Sequence, residues 1–138
     1  MRGVVWVLCG LLAGPAAAAE LRVQVSGIRS AEGQIGCALF AEARGFPGEG
    51  ATVRRVMAAD PKGVECRFEG LAPGTYAVAV LHDLNGNGRN DTSFLGIPTE
   101  DWGVSNNVRP TLRAPRFEEA AVEVKDGPAQ VFGVTVGK

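Results

Sequence analysis

Residues 64–91 read VECRFEGLAPGTYAVAVLHDLNGNGRND. Val64 to Glu69 alternates apolar and polar, with Val64, Cys66 and Phe68 on one face, the pattern of a half-buried strand. Gly70-Leu71-Ala72-Pro73-Gly74 is a tight corner, because proline presets φ and glycine tolerates positive φ. Thr75 to Leu81 is β-branched or apolar on both faces, which predicts a central strand buried on two sides. A long polar and glycine-rich loop, His82 to Asn107, leaves from its end. Strand, corner, buried strand and loop point to an all-β domain.

The flanks extend this reading. Leu21, Val23 and Val25 line one face of a strand over 21–26. Gln34 to Ala41 carries Ile35, Cys37 and Leu39 on one side and Ala38 and Phe40 on the other, so it is also expected to be central. Ala43 to Asp60 reads two ways. Its glycines and Pro47 favour loop, while Val53, Val56 and Met57 have helical spacing in a segment short enough to be a strand. Pro110 and Pro115 exclude regular structure between Asn107 and Arg116. Strands are expected again over 120–125 and 130–136, separated by the Asp126-Gly127-Pro128 turn. The expected fold is a single immunoglobulin-like or prealbumin-like β-sandwich of about seven strands with one long loop.

The chain has 138 residues and a formal net charge of −1. Arg2, the apolar run Val4 to Leu12 and Ala17-Ala18-Ala19 form a secretory signal pattern over residues 1–19, leaving residues 20–138 as the sandwich domain. The apolar run is too short for a comfortable bilayer span, and the expected location is periplasmic or secreted. The near-neutral charge gives no basis for a nucleic-acid partner. Cys37 and Cys66 both face inward on their strands. In an oxidising compartment they read either as one disulfide or as two small core residues.

Asp83, Asn85, Asn87 and Asp91 occupy positions 1, 3, 5 and 9 of a cation-loop pattern, with Gly88 at position 6. Calcium takes six to eight oxygen ligands, and alternate Asp and Asn side chains supply them when the backbone curls around the ion. Arg89 would add its main-chain carbonyl. Position 12 is Phe94 rather than glutamate, so the loop is not an EF-hand, and the missing carboxylate is expected from Glu100 or Asp101. The competing reading is a solvated turn in which Asp and Asn bond their own backbone.

His82 adjoins this loop and is the only histidine. A base, a metal ligand and a structural hydrogen-bonder are all open to it. Paired with Asp83 or Glu100 it would make a small hydrolase-type enzyme. A His82–Asp83–Ser105 triad lacks a nucleophile elbow around Ser105. Phe94, Leu95, Ile97, Pro98 and Trp102 are expected to fold back as a lid over one end of the sandwich, with Gly103, Ser105, Asn106 and Asn107 shaping the backbone and bonding main-chain groups of the long loop. Alternatively, with His82, Ser105, Asn106 and Asn107, Trp102 would contribute to a surface for a protein or small-molecule ligand. The leading expectation is an exported, non-catalytic sandwich whose calcium-type loop shapes a surface. The alternatives are the hydrolase and a purely structural envelope accessory protein.

The stretch FEGLAPGTYAVAVLHDLNGNGRNDTSFLGIPTEDWGVSNN resembles the central signature of the bacterial family named domain of unknown function 2141. The residues that carry the likeness include Leu71, Pro73, Gly74, Tyr76, His82, Asp83, Asn85, Asn87, Gly88, Asp91, Gly96, Pro98, Glu100, Gly103, Ser105, Asn106 and Asn107. The resemblance implies an exported small β-sandwich and supplies no activity. The Leu-x-Pro-Gly-x-Tyr corner is also similar to that of prealbumin-like sandwiches, some of which hydrolyse ureide rings with several His and Arg residues and a distinctive C-terminal tetrapeptide. The lone His82 and the Thr135-Val-Gly-Lys138 ending do not match that activity.

Overall fold

Two-sided burial makes the Thr75–Leu81 segment the axis of the molecule. The structure is a computed structural model that describes residues 18–91 and 98–138. In it this segment lies within β5, Gly74–Asp83. The other strands are β1 (Ala19–Ser26), β2 (Gln34–Phe40), β3 (Val53–Ala58), β4 (Val64–Leu71), β6 (Trp102–Val104), β7 (Val122–Val124) and β8 (Gln130–Thr135). One sheet has the order β4-β1-β8, with β1 antiparallel to β4 and parallel to β8. The other has the order β3-β2-β5-β6, and β7 also pairs with β5. The chain crosses between sheets at β1–β2, β3–β4, β4–β5 and β7–β8. The fold is an all-β sandwich.

The alternation read from sequence places the core. Leu21, Val23 and Val25 from one sheet meet Ile35, Cys37, Leu39, Val78 and Val80 from the other. Cys37 on β2 and Cys66 on β4 form a disulfide across this core, with their Cα atoms 6.4 Å apart. A second, smaller cluster covers the outer face of β5 and β6. It joins Ala77, Val104 and Ala120, with Phe46 and Phe117 packed on them. Phe46 stands edge-on to both Phe40 and Phe117, so the 41–50 loop closes this face.

The corner before β5 is locked by its tyrosine. The Tyr76 hydroxyl donates to the Ala72 carbonyl, four residues upstream. The same device ties corners in immunoglobulin sandwiches, and it explains the spacing of Leu71, Pro73, Gly74 and Tyr76.

Three local expectations are revised. The ambiguous Ala43–Asp60 segment contains a strand. Val53 and Met57 pair opposite Leu39 and Ile35 and turn inward, whereas Val56 is 60% exposed, so the helical spacing was coincidental. Trp102–Val104, expected as loop, is the short strand β6 because it pairs with Ala79–Leu81. The expected strand over 120–125 is shorter, since Phe117–Ala120 forms a one-turn helix, α1, before β7. Of the expected signal segment 1–19, residues 1–17 lie outside the described residues; Ala19 is already paired with Leu71 in β1.

The two sheets also meet at one edge. Trp102 of β6 exchanges both main-chain hydrogen bonds with Gly137, just beyond β8. A Cβ on Gly103 would stand 2.6 Å from the Thr135 carbonyl oxygen, so this approach requires glycine. At the opposite edge Arg55 reaches over the Phe68 ring, 5.7 Å from its centroid, and donates to the Arg67 carbonyl. An inward-aimed charge of this kind shields an edge strand from pairing with another chain.

The disulfide closes a long loop, its cysteines 29 positions apart in sequence. The double variant Cys37→Ala, Cys66→Ala is expected to lose about 3–4 kcal/mol of stability in guanidinium unfolding. A midpoint unchanged from the parent would contradict a cross-link that constrains the unfolded chain.

Candidate functional site

β5 ends in His82 and Asp83, and both are buried although polar. Their environment comes from three segments: the 27–33 turn, the loop after β5, and the strand entry at 99–101. The His82 N–H donates to the Asp101 carbonyl at 2.9 Å, so the antiparallel ladder with the β6 side extends one residue beyond β6. The His82 ring nitrogen Nε2 lies 2.7 Å from the Glu32 carbonyl oxygen. A carbonyl can only accept, so Nε2 carries the hydrogen in this pair. Asp101 is buried and takes a bidentate hydrogen bond from Arg29, with both distances 2.7 Å. His82 and Asp101 therefore fasten the 27–33 turn to the base of the loop.

The loop curls through carboxylate and amide oxygens that accept its own N–H groups. Asp83 accepts from Asn87 N at 3.2 Å and Gly88 N at 2.7 Å. Asn85 Oδ1 accepts from Asn87 N, and Asn87 Oδ1 from Arg89 N. These are successive Asx turns, each bending the chain over two residues. Gly86 and Gly88 take φ of 69° and 74°, which ordinary side chains rarely adopt. The Asn85 and Asn87 amide nitrogens then converge on the Asp91 carboxylate. Glu100, 4% exposed, spans the base: one oxygen accepts Leu84 N at 3.1 Å, the other lies 3.5 Å from Asp91 N. Thr99 closes the loop, its N–H and hydroxyl both donating to the Asp91 carbonyl.

The sequence-predicted ligand side chains are thus gathered around one curl. Asp83 and Glu100 lie at its base, with Asn85, Asn87 and Asp91 above. Arg89 is exposed. Among the described residues no three His, Cys, Asp or Glu side chains stand together as a ready cage. Asp101, weighed beside Glu100 as a ligand, is engaged by Arg29. The hydrogen bonds of His82, Asp83 and Glu100 run to main-chain groups and do not join the three to one another. Of the expected lid, Phe94, Leu95 and Ile97 lie outside the described residues.

Ser105, Asn106 and Asn107 stitch the fold together. β5 changes neighbour along one edge: Gly74–Tyr76 pairs with β7 and Ala79–Leu81 with β6. At the gap, the Val78 N–H donates to the Ser105 hydroxyl at 3.0 Å, and that hydroxyl donates to the Ala120 carbonyl. Ser105 is completely buried. Asn106 and Asn107 have φ of 62° and 51°, a region asparagine enters more readily than most residues. The Asn106 amide donates to the Glu119 and Ala121 carbonyls, and the Asn107 side-chain oxygen accepts Thr135 N. Trp102 is half-buried, with the Arg109 guanidinium stacked 4.2 Å from its ring centroid.

α1 is held from its other side by an ion pair. Arg113 grips Glu119 through two hydrogen bonds, and Glu119 also accepts the Arg116 N–H. First the guanidinium and then that N–H hold the Glu119 carboxyl down from 4.5 to about 2.

Replacing Ser105 by alanine leaves Val78 N–H and the Ala120 carbonyl buried without a partner. The expected loss is about 1–3 kcal/mol in urea unfolding, whereas a loss within error of zero would show that the hydroxyl is dispensable. For Glu119 the folded value lies below the unfolded one. Its contribution is therefore complete above pH 4.5 and is lost as pH falls toward about 2. Glu119→Gln should flatten that part of the acid-stability profile; an unchanged slope would rule the pair out as a contributor.

No curated protein and no solved structure was found to match the chain. The matched span of the family model covers the corner, the central strand and the curled loop described above. The chain belongs to the family described as an uncharacterized protein conserved in bacteria (DUF2141), whose family model matches residues 23–131.

Proposed function

We propose that the protein is an exported, non-catalytic β-sandwich whose Asp83–Asp91 loop takes a hard divalent cation, calcium by its oxygen-donor chemistry, and thereby fixes the surface at that end of the sandwich. The observation that carries the reading is the curl itself. Asp83, Asn85, Asn87 and Asp91 are brought side by side, and the buried Glu100 carboxylate lies beneath them. Three carboxylates and two amides in one loop match the oxygen-rich, negatively charged ligand set that calcium takes.

Occupancy requires one rearrangement. The Asn85 and Asn87 amides turn their nitrogens toward Asp91. An ion at the centre needs their oxygens, so both amides rotate end for end, giving up the bonds from Asn87 N and Arg89 N, and Asp91 exchanges their N–H groups for the cation. The Arg89 main-chain carbonyl would complete the set. Glu100 supplies the carboxylate that position 12 of the sequence pattern lacks.

Export is supported by the Cys37–Cys66 disulfide, since such bonds persist in oxidising compartments, and by the signal-like first 19 residues. No helix of the described residues is long and apolar enough to cross a membrane. The non-catalytic reading rests on His82: its ring is bonded to the Glu32 carbonyl and not to a carboxylate.

A ligand that binds only the folded state raises its stability by mass action. Calcium in excess is therefore expected to raise the melting temperature, a chelator to reverse the rise, and magnesium to give less. Asp91→Ala should remove the calcium-dependent rise while leaving the chelated baseline near that of the parent. Identical melting curves with calcium and with chelator, together with no heat of binding in calorimetry, would refute the reading.

A further inference from the structure

The curled loop holds the same dipeptide twice, Asn85-Gly86 and Asn87-Gly88, and all four residues are exposed. An asparagine before glycine is open to attack on its own side chain. The following main-chain nitrogen adds to the side-chain Cγ, and glycine has no Cβ to obstruct the ring that forms. The two asparagines present the receiving end of this reaction alike. Asn85 Oδ1 accepts Asn87 N–H at 3.2 Å, and Asn87 Oδ1 accepts Arg89 N–H at 2.9 Å. Each oxygen thus has a donor aimed at it where negative charge develops on attack. Both amide nitrogens donate to Asp91.

The attacking nitrogens differ. Gly88 N–H donates to Asp83 Oδ2 at 2.7 Å, and Asp83 is buried. That N–H must leave a carboxylate before its nitrogen can attack. Deprotonated, the nitrogen would also face the carboxylate as a like charge. Among the described residues, Gly86 N–H has no acceptor.

We propose that the loop carries one self-modifying residue, Asn85, which deamidates spontaneously, while Asp83 keeps Asn87 intact. In the first step the bond from Gly86 N to Asn85 Cγ forms and the Cγ–Nδ2 bond breaks. The Gly86 proton leaves with Nδ2 as ammonia. In the second step water opens the cyclic imide at either carbonyl, giving aspartate or isoaspartate at position 85. Water is the only co-reactant. The product replaces a donor to Asp91 with a second carboxylate, so the top of the curl gains a like-charge pair. Where the loop takes a cation, the same step adds a carboxylate to its ligand set. The reaction itself requires no cation, so its test is separate from that of the cation reading.

The test is incubation of the full chain with chelator at mildly alkaline pH, well below its melting temperature, over weeks. Peptide mass spectrometry then reads positions 85 and 87 separately. A parallel sample in guanidinium gives the rates of the unfolded chain. In the folded chain, position 85 is expected to react about tenfold or more faster than position 87, the factor set by breaking a charge-assisted hydrogen bond. In guanidinium the two rates should be similar. Asp83→Ala frees Gly88 N–H, so position 87 should approach position 85. Should that variant fail to fold, the folded and unfolded samples of the parent decide the matter. Equal rates at the two positions of the folded chain would overturn the proposal. So would an intact position 85 over a period in which the unfolded chain reacts, or a position 87 still protected in folded Asp83→Ala.

Discussion

The bond from Val78 N–H to the Ser105 hydroxyl holds the arrangement together at the point where it would otherwise part. On the edge away from β2, β5 has to pair with β7 near its start and β6 near its end, and between these that edge has no strand beside it. A buried N–H without a partner is costly, and water has no access there. Ser105 fills the gap and passes the bond on to Ala120, so β5, α1 and the segment after β6 become one unit. Once β6 is fixed, its bonds to Gly137 join the two sheets along that edge.

The same economy shapes the loop. β5 continues its ladder through His82 to Asp101, and the next N–H groups bond to carboxylates rather than to a neighbouring strand. Asp83 and Glu100 are buried because they have these N–H partners, and the loop N–H groups are ordered because the carboxylates are buried. The sandwich thus sets the curl from below through Asp83, Glu100 and the 27–33 turn. Asp91 and the two asparagines close it from above, at the exposed end.

Much of this was legible in the sequence where period and composition act locally. β1, β2, β4, β5 and β8 follow from alternation, and two-sided apolarity marked β2 and β5 as interior. The reading of the loop as a turn in which Asp and Asn bond their own backbone describes Asp83, Asn85 and Asn87. What was not legible depends on partners distant in sequence. Trp102–Val104 is a strand only because β5 lies beside it. Asp101 is occupied because Arg29, 72 residues away, reaches it. Ser105, Asn106 and Asn107 were legible as residues that bond main-chain groups, but no local signal reveals which ones: the gap Ser105 fills lies in a ladder 27 residues upstream. Arg109 carried no motif, and its place is set by stacking on Trp102.

The central claim is that the order of β5 runs on into the loop through Asp83 and Glu100. Amide hydrogen exchange at Leu84, Asn87 and Gly88 measures this directly, since these N–H groups are the ones the two carboxylates accept. The account predicts protection well above that of free loop amides such as those of residues 111–113, and its loss at Asn87 and Gly88 in Asp83→Ala. Exchange at all three sites as fast as in an unstructured chain would contradict it.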